Sequence, residues 1–403
     1  MQLRRVRATC AAFKKLSVSR LSSMSFPSSL QGRRPTWAEV DLNLLEANLQ
    51  ALRRWVTQRV RIIAVIKADA YGHGAVPVAR RLERAGVDAL AVAIVEEGLV
   101  LRDAGVRSSL LVLNGFWPGQ EEQIVRNSLI PVVFQADKID LLDRAAVRMQ
   151  RHVLFHLKIN SGMSRLGVDW DEARLLLEKA SRTSWARCDG ILTHLSSAED
   201  AESPSTEIQL QRFEEVVLKA EQLKMGIAWR HAANSASLLN FRQSWFDGVR
   251  TGLALYGVNP LPAPLSKVAL APVLSLKTSV LQMRIVRRGQ SIGYGDAYTT
   301  QRDSLIATLP VGYADGLMRA LSNCGPVLVR ERRTPIVGKI SMDLTLIDVT
   351  DVPLVSEGDE VVLIGRQGAE EIRVEDLARL AQTIPYEILS RIGPRVPRVY
   401  LGE

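Results

Sequence analysis

"RIIAVIKADAYGHGAVPVARRLERAGVDALAVAI", residues 61–94, decides the fold. It opens on an apolar, β-branched run (61–66) and closes on a second one (89–94). Between them, residues 73–86 carry apolar side chains at three-to-four spacing. A buried strand, a helix and a second buried strand joined by short connections make a parallel βαβ unit. Further along, the same alternation recurs: strand candidates "LLVL" (110–113), "IPVVF" (130–134), "HVLFHLKI" (152–159), "CDGILT" (188–193), "GIAW" (226–229) and "FDGVR" (246–250) are separated by amphipathic stretches. Eight such repeats predict closure into a (β/α)8 barrel. A doubly wound open sheet shares the local pattern, and the count of eight favours the barrel. One more helix, "LNLLEANLQALRRWV" (42–56), precedes the first repeat with Asp41 as its N-cap.

Past about residue 265 the texture changes. "LSLKTSVLQMRIV", "SLIATLPVGYADG", "GPVLVRERRTPIVGKISMDLTLIDV" and "GDEVVLIG" alternate apolar and polar residues between Gly and Pro, which predicts a mainly antiparallel β domain. The expected organisation is a basic extension over 1–34, a barrel over 35–265 and a β domain over 266–403.

Charge follows the same division. Of the 52 basic side chains, eight (Arg4, Arg5, Arg7, Lys14, Lys15, Arg20, Arg33, Arg34) lie in residues 1–34, which hold no acid. Removing them from 52 leaves 44 basic against 43 acidic, so the net charge of +9 belongs to the extension and does not point to a nucleic-acid face. The extension itself reads as a transit-type segment, a disordered tail or a start placed ahead of Met24. No run of 18 apolar residues appears, so a membrane partner is not expected. Cys10, Cys188 and Cys324 are scattered and odd in number, which fits a reducing, cytoplasmic setting and neither a disulfide framework nor a zinc site. No metal is assigned.

In a barrel of this kind the chemistry gathers at the C-terminal strand ends. Lys67 follows the first strand, Arg165 closes the loop after the fifth, and His194 ends the sixth. Asn234 and Ser235 follow the seventh, and Arg250 ends the eighth, just before Gly252 and Leu253. A lone lysine behind a strand is ordinarily a solvated turn residue; five strand ends sharing one rim read differently. The loops after strands seven and eight are where barrels often bind phosphate, although Asn and Ser there also suit plain helix capping. Phosphate donors and a lysine without metal ligands suggest pyridoxal phosphate, with Arg165 and burial lowering the lysine pKa.

With those residues placed, the chain from about Trp37 onward closely resembles the alanine racemase family. The resemblance rests on "AVIKADAYGHG", "LKINSGMSRLG", "THLSSAED", "HAANSAS", "VRTGLALYG", "SIGYG", "PVGYADG", "GKISMDL" and "PRVPR", in order. It implies a pyridoxal 5'-phosphate-dependent isomerase that interconverts L- and D-alanine for peptidoglycan and works as a homodimer with shared sites. By the same resemblance Lys67 is the Schiff-base lysine and the base on the D-alanine side, and Tyr294 the opposite base, reaching the partner's barrel. Arg250 faces the pyridine nitrogen and His194 links it toward the tyrosine. Arg165, Met342 and Asp343 contact substrate, while Tyr71, Asn234, Ser235, Gly252 and Leu253 contact the cofactor. Lys158 matches a position carbamylated in some members.

Departures from the family pattern are expected at Pro394, taken as standing where a phosphate-binding tyrosine is common, at Lys339 for an arginine and at Glu199 for an aspartate. These keep open a broader amino-acid racemase. A non-catalytic pyridoxal phosphate carrier is disfavoured by the β domain with Tyr294. A decarboxylase is disfavoured because Cys324 sits beside no acidic substrate motif.

Overall fold

A computed structural model describes Pro27 and residues 30–261 and 268–403. Most of the basic extension and the 265/266 boundary lie outside the described residues. The chain forms two compact units, one of Val40–Leu274, Pro385–Arg391 and Tyr400–Glu403, the other of Met1–Glu39, Ser275–Ile384 and Ile392–Val399. A single cut does not describe them. The first strand, β1 (Thr36–Asp41), joins the sheet of the second unit, whereas the short helix Pro385–Ser390 belongs with the first.

The first unit is the barrel. All eight expected strands form: β2 (Arg61–Val65), β3 (Ala89–Val92), β4 (Leu110–Val112), β5 (Ile130–Val133), β6 (Val153–Asn160) with the short β7 (Val168–Asp169) beside it, β8 (Ala186–Leu192), β9 (Trp229–His231) and β10 (Gly248–Thr251). They run parallel in the order β10-β2-β3-β4-β5-β6-β8-β9. Only β9 is displaced, starting where the run at 226–229 ends. Residues of β3, β4 and β5 are buried at every position, because a parallel sheet covered on both faces has no solvent side to alternate toward. Between β9 and β10 the ladder thins to two amide bonds, Asp247 N–H to the Arg230 carbonyl (3.0 Å) and Arg250 N–H to that of Ala233 (2.9 Å), so the barrel is nearly closed.

Helix Leu42–Trp55 starts where expected. The Asp41 carboxylate accepts from the amides of Asn43 (2.9 Å) and Leu44 (3.1 Å), two donors that the first turn leaves without partners.

One segment breaks the pattern. After β2, Ala68, Asp69, Ala70 and Tyr71 all hold φ between 52° and 54° and ψ between 40° and 52°, a left-handed turn of four successive L-residues. Each costs ~1–2 kcal/mol against a right-handed conformation, so the turn persists only where surrounding bonds hold it.

The second unit is the expected β domain. Its main sheet orders Arg332–Pro335, Pro326–Val329, Glu360–Gln367, Leu274–Ser279, β1 and Arg398–Leu401, with Glu370–Ile372 beside Glu360–Gln367. A second, antiparallel sheet joins Gln282–Val286, Ser304–Leu309 and Thr345–Asp348. A buried carboxylate organises this unit. Asp315 takes a two-pronged contact from Arg34 (2.8 and 2.6 Å) and the Gly312 amide (3.0 Å), while Arg395 spans from it to Asp343. Arg34, grouped by composition with the extension, is thus an anchored residue. Burial alone would raise the Asp315 pKa; Arg34 and the Gly312 amide outweigh it and hold the carboxyl below its usual range.

Removing Arg34 leaves the buried Asp315 carboxylate with only the Gly312 amide and the longer contact from Arg395, at 3.5 Å. Arg34→Met should therefore destabilise the chain by ~3 kcal/mol in urea unfolding; a change below ~0.5 kcal/mol, ordinary for a surface residue, would refute the anchoring role.

Candidate active site

Lys67 stands two residues past β2, at the entry to the left-handed turn. It is half-buried. Burial first, and then the charge of Arg165 from the loop after β6, push its amine below the usual lysine pKa, while the carboxylate of Glu97 opposes them. This is the direction expected from the sequence, and it favours the free amine.

Arg250, at the exit of β10, is 4% exposed. Its Nη2 donates to the carbonyls of Thr193 (2.7 Å) and Ala232 (2.9 Å), and its Nη1 to that of His231 (2.8 Å). Nη2 also reaches His194 Nδ1 (3.2 Å) and Nη1 reaches His231 Nδ1 (2.9 Å). A guanidinium can only donate, so His231 Nδ1 accepts and its Nε2 carries the proton, donating to His156 Nδ1 at 2.9 Å. His156 Nε2–H is then left buried, with no partner among the described residues. Burial pulls Arg250 down to about 9 and His156 to about 3, the latter helped by Arg61 and Arg250. His194 and His231 are also well below the usual value, through burial and then Arg250. All three histidines are neutral beside a cation. Lys158, on β6, is buried with them, and burial, then Arg250 and Arg165, drive its amine well below the usual lysine pKa.

A cradle lies beside this cluster. Ser235, the first residue of helix Ser235–Asn240, accepts with Oγ from the amides of Gly252 (3.0 Å) and Ala254 (3.4 Å). A Cβ at Gly252 would come within 2.5 Å of the Tyr71 hydroxyl oxygen, so only glycine lets the chain pass there. Leu253 opens the following 3-10 turn. Asn234 caps the helix, its Oδ1 accepting from the Ser237 amide (3.0 Å), so the capping use of that residue is present.

Tyr71 has a companion that the sequence reading missed. Tyr386, on the helix Pro385–Ser390, packs with its ring centroid 5.8 Å from that of Tyr71. This corrects the emphasis placed on Pro394, which lies in the other unit: a second tyrosine stands at the Tyr71 side through Tyr386 instead. Burial raises Tyr71, aided by Tyr386, and lifts Tyr386 to about 12, aided by Glu199. Both hydroxyls keep their protons. The signal was present in "PYEIL", a proline at a helix start followed by apolar spacing, but six residues are too few for periodicity to mark.

Tyr294, Met342 and Asp343 belong to the β unit. Tyr294 is 73% exposed at the tip of the hairpin Ser291–Ile292 with Tyr298–Thr299, where Gly293 (φ 75°) and Gly295 (φ 64°) make the turn. Met342 is half exposed, and its carbonyl accepts from the Ala314 amide (3.1 Å). A Cβ at Gly312 would meet that carbonyl at 2.3 Å. The Asp343 carboxylate is engaged by Arg395 Nη2 at 2.7 Å.

A neutral-leaning amine at a strand end, a cationic interior and a cradle of amides and hydroxyls define a barrel enzyme fitted to a phosphorylated aldehyde such as pyridoxal phosphate. Sequence models agree on a narrower class: "alanine racemase, N-terminal domain" matches residues 40–260 and "alanine racemase, C-terminal domain" residues 273–400. The alanine racemase of Symbiobacterium thermophilum is 46% identical over 93% of this chain and 99% of its own. Among solved structures, the alanine racemase of D-cycloserine-producing Streptomyces lavendulae has a TM-score of 0.85 at 35% identity, covering 92% of this chain and 98% of its own. That of Bartonella henselae, described with covalently bound pyridoxal phosphate, has a TM-score of 0.82 at 33% identity, covering 91% and 99%. The chain belongs to the alanine racemase family.

The buried histidines give a pH dependence. The folded-state pKa values of His156, His194 and His231 are all depressed, that of His156 to about 3, so below the ordinary value of 6.5 the unfolded chain binds more protons than the folded one. Stability is full above pH 6.5 and is lost as pH falls below it. His156→Asn should flatten this acid limb by a few kcal/mol at ~1.4 kcal/mol per pK unit; an unchanged Tm-against-pH curve in the variant would contradict the assignment.

Proposed function

We propose that the protein is a pyridoxal-phosphate-dependent isomerase that interconverts L- and D-alanine, supplying D-alanine for peptidoglycan. The observation that carries this reading is Lys67, its amine biased to the free base beside Arg165 on the barrel rim that holds the Ser235–Gly252 cradle. Family membership supports the substrate, and no helix among the described residues is long and apolar enough to cross a membrane.

Ser235 Oγ, the amides of Gly252, Leu253 and Ala254, and the hydroxyls of Tyr71 and Tyr386 would hold the phosphate. The bound group would supply an electron sink next to the substrate Cα. Racemisation needs a proton removed from one face of Cα and one returned to the other, hence two opposed bases. Lys67 tethers the cofactor and serves one face. Tyr294 serves the other from the second copy in a homodimer, its exposure at a hairpin tip fitting a side chain offered to a partner. A phenol needs a cationic neighbour to give up its proton near neutrality. Arg250, with His194 beside it, is that source. Arg250 would meet the ring nitrogen and, as a donor only, would give it no acceptor for a proton. By the family resemblance Arg165 and, offered like Tyr294 from the second copy, Met342 and Asp343 would receive the substrate carboxylate; Arg395 holds the Asp343 carboxylate. Lys158, a buried amine biased to its neutral form by burial and by the charges of Arg250 and Arg165, would add carbon dioxide through its free nitrogen, losing one proton to solvent, to give an anionic carbamate that both cations would stabilise.

Protein supplied with the cofactor should be yellow and should racemise alanine, and Lys67→Ala should abolish both. Tyr294→Phe should slow exchange of the L-alanine α-proton into deuterated water by ~100-fold or more with cofactor affinity within twofold; equal loss of both would make Tyr294 structural. A mixture of Lys67→Ala and Tyr294→Phe chains should recover activity if the site is shared between copies. Tyr386→Phe should weaken cofactor affinity about tenfold, the loss of one hydrogen bond to a charged group, and unchanged affinity would remove it from the cradle.

A further inference from the structure

Asp69, His73 and the acidic start of the helix Val95–Asp103 take no part in the chemistry above, yet they converge on the turn that carries Lys67 and Tyr71. Four successive L-residues in the left-handed conformation do not hold themselves in place. Three polar braces surround them. The first is Glu97, whose Oε1 accepts from the Ala68 amide at 2.6 Å while Oε2 accepts from the Ala93 amide at 2.7 Å and the Ile94 amide at 3.4 Å. One carboxylate thus clamps the exit of β2 to the exit of β3. The second is Asp69, whose Oδ1 accepts from the Ala75 amide (2.6 Å) and whose carbonyl accepts from that of Gly74 (2.9 Å), closing the turn onto the next helix. The third is His73, buried against Tyr256, with Nδ1 donating to the Tyr71 carbonyl at 3.0 Å.

We propose that Glu97 is a positioning residue for Lys67 and Tyr71: its carboxylate, bridging two neighbouring strand exits, holds the left-handed turn that sets the amine and the hydroxyl against the Ser235–Gly252 cradle. Glu97 carries its hydrogen bond to the turn from a neighbouring strand–helix repeat, so it ties the turn's backbone to the barrel and not merely to itself. Its contact falls on the first left-handed residue, directly after Lys67. A glutamine could not replace it, because both oxygens accept and an amide offers one. The inference rests on the cofactor reading given above, and the brace itself is testable without the cofactor.

The test compares the parent chain, Glu97→Ala, Ala68→Gly and the double variant. Ala68 is exposed, so glycine there removes no packing, and glycine adopts φ near 52° without a clash. In cofactor-free protein, Glu97→Ala should speed hydrogen exchange of the peptide spanning 66–74 about tenfold with an unchanged urea midpoint. With pyridoxal phosphate added, its dissociation constant should rise about tenfold, equivalent to ~1.4 kcal/mol, and kcat should fall more than KM changes. The double variant should recover part of the affinity, because glycine relieves the strain at the residue Glu97 holds while Asp69, Ala70 and Tyr71 stay left-handed; Ala68→Gly alone should bind within twofold of the parent. Affinity of Glu97→Ala within twofold of the parent, or a double variant no better than Glu97→Ala, overturns the proposal. Should Glu97→Ala fail to fold, Glu97→Gln with and without Ala68→Gly puts the same question. A parent chain that does not bind pyridoxal phosphate would refute the cofactor reading, leaving the exchange measurement to decide the brace.

Discussion

The barrel depends on one guanidinium. Parallel strands β2 to β9 are joined by regular ladders, but the seam between β9 and β10 has only two amide bonds. Arg250 sits at that seam and donates to the carbonyls of Thr193, His231 and Ala232, drawing together the exits of β8, β9 and β10. Its partners are neutral. No carboxylate forms an ion pair with it among the described residues, so desolvation of the cation is offset by hydrogen bonds alone. That is an expensive way to close a sheet, and an apolar residue would close it at lower cost.

The expense has an electrostatic result. Arg250, Arg165, Lys158 and Lys67 share one end of the barrel, and the three nearest histidines are kept neutral by burial and by Arg250 itself. The lysines respond to the same field by tending toward free amines. A predominantly cationic interior is stabilised by an anion that arrives, such as a phosphate. The interactions that make the apo barrel costly are the ones that make it a binding site.

Much of this was legible in the sequence because buried parallel strands are continuous apolar runs, and eight of them separated by amphipathic helices admit few folds. Asp41 and the helix after it were equally plain, since capping is local chemistry. What stayed hidden depends on distant partners. β1 reads as ordinary flanking chain and joins the β unit only because its neighbours in the sheet come from residues 274–279 and 398–401. The turn at 68–71 contains no glycine, so no propensity signals it; it is held by partners that include Glu97, a repeat away, which accepts from the Ala68 amide. Tyr386 lies on a helix too short to show a period, and attention fell instead on Pro394 in the same C-terminal stretch.

These residues share a property. Lys67 is set by a turn that costs free energy, Arg250 by a burial that costs free energy, and Tyr294 by a two-residue-strand hairpin that leaves its side chain 73% exposed. A chain optimised only for stability would place glycine at 68, an apolar residue at 250 and a polar one at 294. Local propensity therefore identifies the scaffold well and the site poorly, since the site is where the chain departs from what its neighbours alone would favour. The departures are answered nearby: by Glu97 for the turn, by three carbonyls for the guanidinium and by paired glycines for the hairpin. Reading the compensation, rather than the departing residue alone, separates a placed functional group from an accident of packing.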